Sequence, residues 1–124
     1  MVAVHAGNGE AKIGALNPLD TFRVTSLPGQ NVAILALSGE LDLALAADIV
    51  SAGSECLAES TTQTLIVDLR AVTFIDSTAI GSLVHLRNAA LERGKQLELS
   101  HMPERVDKLL KITGLDQVFT VTSD

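Results

Sequence analysis

The spacing of hydrophobic and polar positions changes several times along the chain, and each change marks a predicted element. Residues 22–27 alternate in hydrophobicity and predict a strand, which ends at the turn signal Pro28-Gly29. Residues 32–37 form a continuous apolar run, which is typical of a strand covered on both faces. From Leu43 onward the apolar residues recur at helical spacing, and Asp42 is placed to be the N-cap of that helix.

Strands and helices continue to alternate through the second half of the chain. The predicted elements there are a strand at 65–69, a helix from about Ser77 to Arg93 with Gly94 as its stop signal, a strand at 96–100, a helix between Pro103 and Gly114, and an edge strand at 118–121. This order implies an α/β fold with a mixed sheet of four to five strands, right-handed crossovers and three or more helices packed on the sheet.

The two ends of the chain differ in character. Residues 1–19 are rich in glycine and asparagine without sustained periodicity, so we expect a flexible leader that could add a short strand. Residues 20–124 are then one domain with its own core. Neither a signal peptide nor an apolar stretch of membrane-spanning length is visible, and we expect a cytoplasmic protein that does not bind a membrane.

Composition narrows the classes of function. Hydrophobic residues make up 47% of the chain but only three are aromatic, so the core is aliphatic and platforms for base stacking are lacking. The net charge of −6 argues against nucleic acid and suits a basic protein partner. The single cysteine, Cys56, fits a reducing compartment and a buried position. The three histidines lack metal-ligand spacing, and no cofactor motif is present, so neither a metal nor a cofactor is expected.

Two loops should meet at one edge of the predicted sheet. Glu40-Leu41-Asp42 follows the second strand and Asp76-Ser77-Thr78 follows the third, and the ends of neighbouring parallel strands gather at one edge. Asp76 and the hydroxyls beside it are a common capping pattern for a helix. A helix N-terminus also favours an anion, so Ser77 is a candidate phosphate acceptor. From the local sequence both interpretations stay open.

Several motifs in the same order resemble the STAS family, and more narrowly the bacterial anti-sigma factor antagonists. The resemblance covers roughly residues 20–124 and rests on Gly39-Glu40-Leu41-Asp42, Val67-Asp68-Leu69-Arg70, the segment from Phe74 to Gly81, and Gly114-Leu115-Asp116-Gln117-Val118-Phe119. One departure is Ala79, where many members have glycine. The resemblance implies the STAS fold and a regulatory role without enzymatic activity.

The resemblance also implies a partner and a modification. In that family the serine after the aspartate, here Ser77, is phosphorylated by an anti-sigma factor that is an ATP-dependent serine kinase. The unmodified form binds this kinase and frees the sigma factor, and a metal-dependent serine phosphatase reverses the modification. Residues expected to bind the partner are Glu40, Asp42, Asp76, Thr78 and Gly81, with Thr78 ranked below Ser77 as an acceptor. For Glu40 and Asp42 a solvated turn and an N-cap remain the alternative roles.

Other assignments follow from what surrounds these residues. Asp68 is expected to be structural, paired with Arg70 or a backbone donor, because no second acid or base is placed to work with it. Arg87, Arg93, Lys95 and Arg105 are expected to be solvated surface charges. Two other functions remain open: a hydrolase or phosphotransfer enzyme with Ser77 as nucleophile, which lacks an obvious base, and a STAS scaffold or sensor that is never phosphorylated.

Overall fold

A computed structural model describes residues 3–5, 12–15, 22–27 and 29–122. Within these residues the strands are β1 (Ala3–His5), β2 (Lys12–Ala15), β3 (Phe22–Leu27), β4 (Val32–Leu41), β5 (Thr64–Ile75), β6 (Gln96–Ser100) and β7 (Thr120–Thr122). The helices are α1 (Leu43–Ala58), α2 (Ser77–Glu92) and α3 (Glu104–Thr113), and a short 3-10 helix follows at Leu115–Gln117. The predicted order of strands and helices from residue 22 onward is confirmed.

All the described strands join one mixed sheet whose spatial order follows the order of the chain. The pairs from β1 to β4 are antiparallel, and the pairs from β4 to β7 are parallel. Strands β3 to β7 and the three helices form the predicted α/β architecture. Strands β1 and β2 lie inside the expected leader, residues 1–19. The remaining leader residues lie outside the described ones, so its flexibility and its boundary stay predictions.

The core lies on one face of the sheet. Leu35, Val67 and Leu99 are neighbours across β4, β5 and β6, and all three are fully buried. The buried residues of α1, α2 and α3 belong to the same apolar cluster. On the opposite face Ile34 and Ile66 remain partly exposed. The apolar run of β4 is therefore covered on one face, not on both, because the helices pack together on a single side.

Strand β5 is longer than predicted and irregular. The sequence predicts a strand only at 65–69, but β5 continues through Ala71-Val72-Thr73 to Ile75. Its register against β4 shifts after Ala36 and again after Gly39, so β5 holds two more residues than β4 over the paired stretch. Such bulges let Val72 and Ile75, three positions apart, both face the core. The strand therefore delivers Asp76 directly to the start of α2.

Three smaller expectations are decided by packing. Helical spacing of the apolar residues in α2 predicts an inward-facing Leu91, but this residue is 52% exposed near the end of the helix. The last strand begins at Thr120 rather than 118, because the chain first passes through the 3-10 helix and places Phe119 in the core. The predicted end of α3 is confirmed, since Gly114 has the left-handed φ of 79° that glycine adopts easily.

Candidate functional site

The candidate site is built around the carboxylate of Asp76 at the start of α2. Its Oδ1 accepts a hydrogen bond from the backbone N–H of Ala79 at 2.9 Å, which confirms Asp76 as the N-cap. The first N–H groups of an α-helix have no acceptor within the helix, and here they belong to Ser77 and Thr78. Both side chains are exposed. The hydroxyl of Ser77 is thus presented to solvent at the positive end of a sixteen-residue helix.

The second oxygen of Asp76 reaches the other loop. Its Oδ2 accepts a hydrogen bond from the backbone N–H of Leu43, the first residue of α1, at 3.1 Å. In the opposite direction, the backbone N–H of Asp76 donates to the carbonyl of Leu41 at 3.0 Å. The prediction that the two loops lie side by side is confirmed. One carboxylate therefore caps the serine-bearing helix and fixes the start of its neighbour.

Asp42 occupies the equivalent position on α1. Its Oδ1 accepts a hydrogen bond from the N–H of Ala44 at 3.0 Å, so the predicted N-cap is confirmed. Its side chain is half-buried. The two helices also approach each other further along, where the Ser82 hydroxyl donates to the carbonyl of Ala46 at 2.9 Å. These contacts hold the two helix starts in a fixed relative position.

The other residues predicted to bind a partner have different surroundings. Gly81 is exposed one turn after Ser77, and a Cβ placed there would meet no atom within 4 Å. Glu40 is exposed but lies within β4, opposite Phe74, rather than in a turn. Since Leu41 faces the core, Glu40 faces the side of the sheet away from the helices. The partner-binding roles stay predictions.

Two large apolar side chains are exposed at this edge and were not identified from the sequence as site residues. Leu43 is 70% exposed and Phe74 is 44% exposed. Phe74 faces the same side as Glu40, whereas Leu43 begins α1, the helix next to Ser77. The sequence signal for Leu43 was its position directly after an N-cap. Helical periodicity alone predicts that Leu43 is the first apolar residue of the buried face, so its exposure is not visible from the sequence.

Asp68 has the structural role expected of it. Its Oδ1 accepts a hydrogen bond from the backbone N–H of Arg70 at 2.9 Å, and its Oδ2 lies 3.8 Å from Nη2 of the same arginine. That Nη2 also donates to Nε2 of His101 at 2.6 Å. His101 has a φ of 53°, uncommon for a residue with a side chain. These contacts fix the end of β6 against β5.

Two cations expected to be solvated surface charges also donate hydrogen bonds to carbonyl oxygens; Arg105 is exposed, and Lys95 is half-buried. Nζ of Lys95 donates to the carbonyls of Leu57 at 2.6 Å and Glu59 at 2.9 Å, at the C-terminal end of α1. Nη1 of Arg105 donates to the carbonyl of Thr73 at 3.3 Å. Thr73 lies in the part of β5 that extends past its pairing with β6. Neither contact follows from local sequence, because each joins segments distant along the chain.

Metal and membrane chemistry find no support in the part of the chain that is described. There, no group of three or more His, Cys, Asp or Glu residues could hold a metal ion. The helices of the same part are too short or too polar to cross a membrane. Cys56 is buried in the core, as predicted, and His85 is exposed on α2. The exposed Ser77 hydroxyl at the start of α2 remains the main chemical feature of this edge.

Comparison with known proteins places the chain in a family. The model of the STAS domain family matches residues 27–124. A STAS-domain containing protein of Pseudomonas aeruginosa strain UCBPP-PA14 is 31% identical over 102 residues, which cover 80% of this chain and 98% of that protein.

Solved structures agree in fold. An anti-sigma-factor antagonist (STAS) domain protein from Planctomyces limnophilus has a TM-score of 0.72 at 20% identity, covering 83% of this chain and 90% of that one. The Bacillus cell fate determinant SpoIIAA, in its phosphorylated form, has a TM-score of 0.63 at 17% identity, covering 83% and 92%. The family match over residues 27–124 and this shared fold lead to one conclusion: the chain belongs to the STAS domain family.

Proposed function

We propose that this protein is an anti-sigma factor antagonist controlled by phosphorylation of Ser77. In its unphosphorylated form it binds an anti-sigma factor that is a serine kinase, and so releases a sigma factor for transcription. Phosphorylation of Ser77 by the bound kinase ends the complex, and a serine phosphatase restores it. The proposal places this cycle in the cytoplasm. The observation that carries the proposal is the exposed Ser77 at the start of α2. The N-cap of this helix, Asp76, is fixed by hydrogen bonds from the N–H groups of Leu43 and Ala79.

The position of Ser77 suits reversible modification. A phosphate there adds nearly two negative charges beside the first N–H groups of α2, where an anion is favourable. Asp76 already has both carboxylate oxygens in hydrogen bonds, so the fold does not depend on the serine hydroxyl. Phosphorylation is therefore expected to change the surface while leaving the fold in place.

The same phosphate is unfavourable in a complex. A dianion at the centre of an interface must lose its water, and this costs free energy unless every oxygen finds a donor. In the kinase it would also face the anionic phosphates of the bound nucleotide. A loss of a few kcal/mol corresponds to orders of magnitude in affinity. The unmodified surface, with exposed Thr78 and Gly81 and the carboxylates of Asp42 and Asp76, suits a partner with basic groups.

Two relatives of known structure support the proposal. The Planctomyces limnophilus protein carries the name of an anti-sigma-factor antagonist, and SpoIIAA has a phosphorylated form. Both are below 25% identity, so their likeness to this chain concerns the fold. The step from that fold to this function rests on Ser77 and its surroundings.

The test is phosphorylation followed by a binding measurement. The wild type, Ser77→Ala and Thr78→Ala are incubated with each purified anti-sigma factor serine kinase of the source organism and ATP, and intact masses are recorded. We expect one phosphate on the wild type and on Thr78→Ala but none on Ser77→Ala. Ser77→Ala should then bind that kinase persistently, and Ser77→Glu at least tenfold more weakly.

Other outcomes would change the assignment. Equal binding by Ser77→Ala and Ser77→Glu would exclude the switch. Binding of a kinase without any phosphate transfer would favour the alternative of a STAS scaffold or sensor module. Loss of modification in Thr78→Ala alone would move the acceptor to the neighbouring residue.

A further inference from the structure

We infer that Leu43 is an apolar anchor for the anti-sigma factor, seated in a hydrophobic pocket of the kinase that is rimmed by basic residues. The inference rests on the proposed function and names the chemistry of its partner. Leu43 on α1 would then be a second contact, besides Ser77 on α2, and would help to determine which kinase is bound.

Exposure of Leu43 is the first observation. The side chain is 70% exposed, and the other exposed residues of α1 are small or polar, among them Ala44, Ala47, Ser51 and Glu55. A leucine in water is unfavourable relative to a leucine buried in a complex. Leu43 is therefore the large hydrophobic side chain among the exposed residues of α1, and such a side chain can fill an apolar pocket of a partner.

Fixation of Leu43 is the second observation. Its backbone N–H is bonded to Oδ2 of Asp76, and the next N–H, that of Ala44, is bonded to Oδ1 of Asp42. Because Asp76 also caps the helix that carries Ser77, one carboxylate binds the backbone N–H of Leu43 and the N–H of Ala79, two residues after Ser77. An anchor held in place before binding loses less conformational entropy in the complex.

Charge around Leu43 defines the partner further. No lysine or arginine occurs between Arg23 and Arg70, a stretch that includes all of β4 and α1. Asp42 directly precedes the leucine in the chain, and Oδ2 of Asp76 accepts a hydrogen bond from the leucine's backbone N–H. A complementary surface therefore combines an apolar pocket with lysine or arginine residues at its rim.

The other exposed hydrophobic residue at this edge fits the same partner less well. Phe74 lies opposite Glu40 on β4, and their neighbours Ile75 and Leu41 face the core. Phe74 therefore faces the side of the sheet away from the helices. By contrast, the backbone N–H of Leu43 is bonded to Asp76, the N-cap of the helix that begins at Ser77, so Leu43 lies at the same edge as Ser77.

The test compares two exposed hydrophobic residues by their effect on binding. Leu43→Ala, Leu43→Met and Ile112→Ala are made in the Ser77→Ala background, which keeps the acceptor unmodified. Ile112 is the matched control, because it is 82% exposed on α3. Each protein is titrated by calorimetry against the kinase that phosphorylates the wild type. We expect Leu43→Ala to weaken binding about tenfold or more, while Leu43→Met and Ile112→Ala stay within twofold.

The outcomes separate the inference from the proposed function. If the kinase binds and phosphorylates the wild type, but Leu43→Ala binds as tightly as Ile112→Ala, the anchor is overturned and the proposed function stands. If no anti-sigma factor serine kinase binds the wild type, both are overturned. An unchanged unfolding midpoint for Leu43→Ala excludes loss of fold as the cause of weaker binding.

Discussion

Oδ2 of Asp76 accepts a hydrogen bond from the backbone N–H of Leu43 at 3.1 Å, although the two residues are 33 positions apart. The other oxygen of the same carboxylate caps α2 at Ala79. A residue that local sequence identifies as a simple helix cap therefore also joins two helices at the edge of the sheet. The Asp76 carboxylate is therefore one of the contacts that set the position of the proposed anchor relative to the proposed acceptor.

The double role of Asp76 can be separated by substitution. Asp76→Ala loses both hydrogen bonds and is expected to lower the free energy of unfolding by about 2–3 kcal/mol. Asp76→Ser keeps a side-chain cap for α2 but is too short to reach Leu43, so about half of that loss is expected. Asp42→Ala, which removes one cap bond, is the control at about 1 kcal/mol. Urea unfolding measures all three, and equal stability of Asp76→Ser and wild type would contradict the bridging role.

Two glycines in helices should respond in opposite ways to alanine. A Cβ at Gly53 would clash with Cδ1 of the fully buried Leu86, so Gly53→Ala forces α1 and α2 apart or displaces that leucine. We expect a net loss of about 1–3 kcal/mol. At Gly81 the Cβ has open space, and Gly81→Ala should gain up to about 1 kcal/mol from helix propensity.

Thermal unfolding of the two variants decides this prediction. The midpoint of Gly53→Ala should fall and that of Gly81→Ala should rise. A rise for both would mean that the helices are not in close contact at Gly53. Binding of Gly81→Ala to the kinase is a separate measurement, because the added methyl group stands on the surface next to Ser77.

Lys95 is expected to stabilise the end of α1. Its Nζ binds two carbonyl oxygens there, and α1 has no basic residue in its own last turn. Lys95→Met keeps most of the aliphatic side chain but removes both bonds, so a loss of about 1–2 kcal/mol is expected. Lys108→Met is the control, since Lys108 makes one exposed ion pair with Glu104 that is worth little. Equal urea midpoints for the two variants would contradict the capping role.

The ion pair of Lys111 should be visible in its titration. A hydrogen bond from Lys111 to Asp107, the charge of Asp107 and a smaller effect of Asp116 raise the pKa of this lysine above its ordinary value of 10.5. Because the pKa is higher in the folded protein, the pair stabilises the fold below pH 10.5, and this contribution is lost as the pH rises through the folded pKa. In Asp107→Asn the pKa of Lys111, measured by NMR titration of its side chain, should return towards 10.5. An unchanged pKa would contradict the pairing.

The order of elements could be predicted from the sequence because it depends on local periodicity. Alternation in β3 and β6 and helical spacing in α1 and α2 gave elements close to the observed ones. The caps Asp42 and Asp76 were predicted for the same reason, since a cap bond spans two or three residues. The family resemblance added the hypothesis that Ser77 is a phosphate acceptor and that the partner is an anti-sigma factor, which no periodicity contains.

The remaining features depend on contacts between distant segments. The bulges that carry β5 to Ile75, the exposure of Leu91 and the carbonyl ligands of Lys95 and Arg105 were not visible along the chain. Each is fixed by what another part of the fold places opposite the residue.

By itself, the sequence determined an α/β domain with an aliphatic core, a capped helix that begins at Ser77 and an acidic chain suited to a basic partner. Tertiary structure decided that the helices cover one face of the sheet, that the Asp76 carboxylate accepts a hydrogen bond from the backbone N–H of Leu43, and that the Leu43 side chain is exposed. The physical reason is range: periodicity and capping act over a few residues, whereas burial and long-range hydrogen bonds depend on packing between residues far apart in the chain.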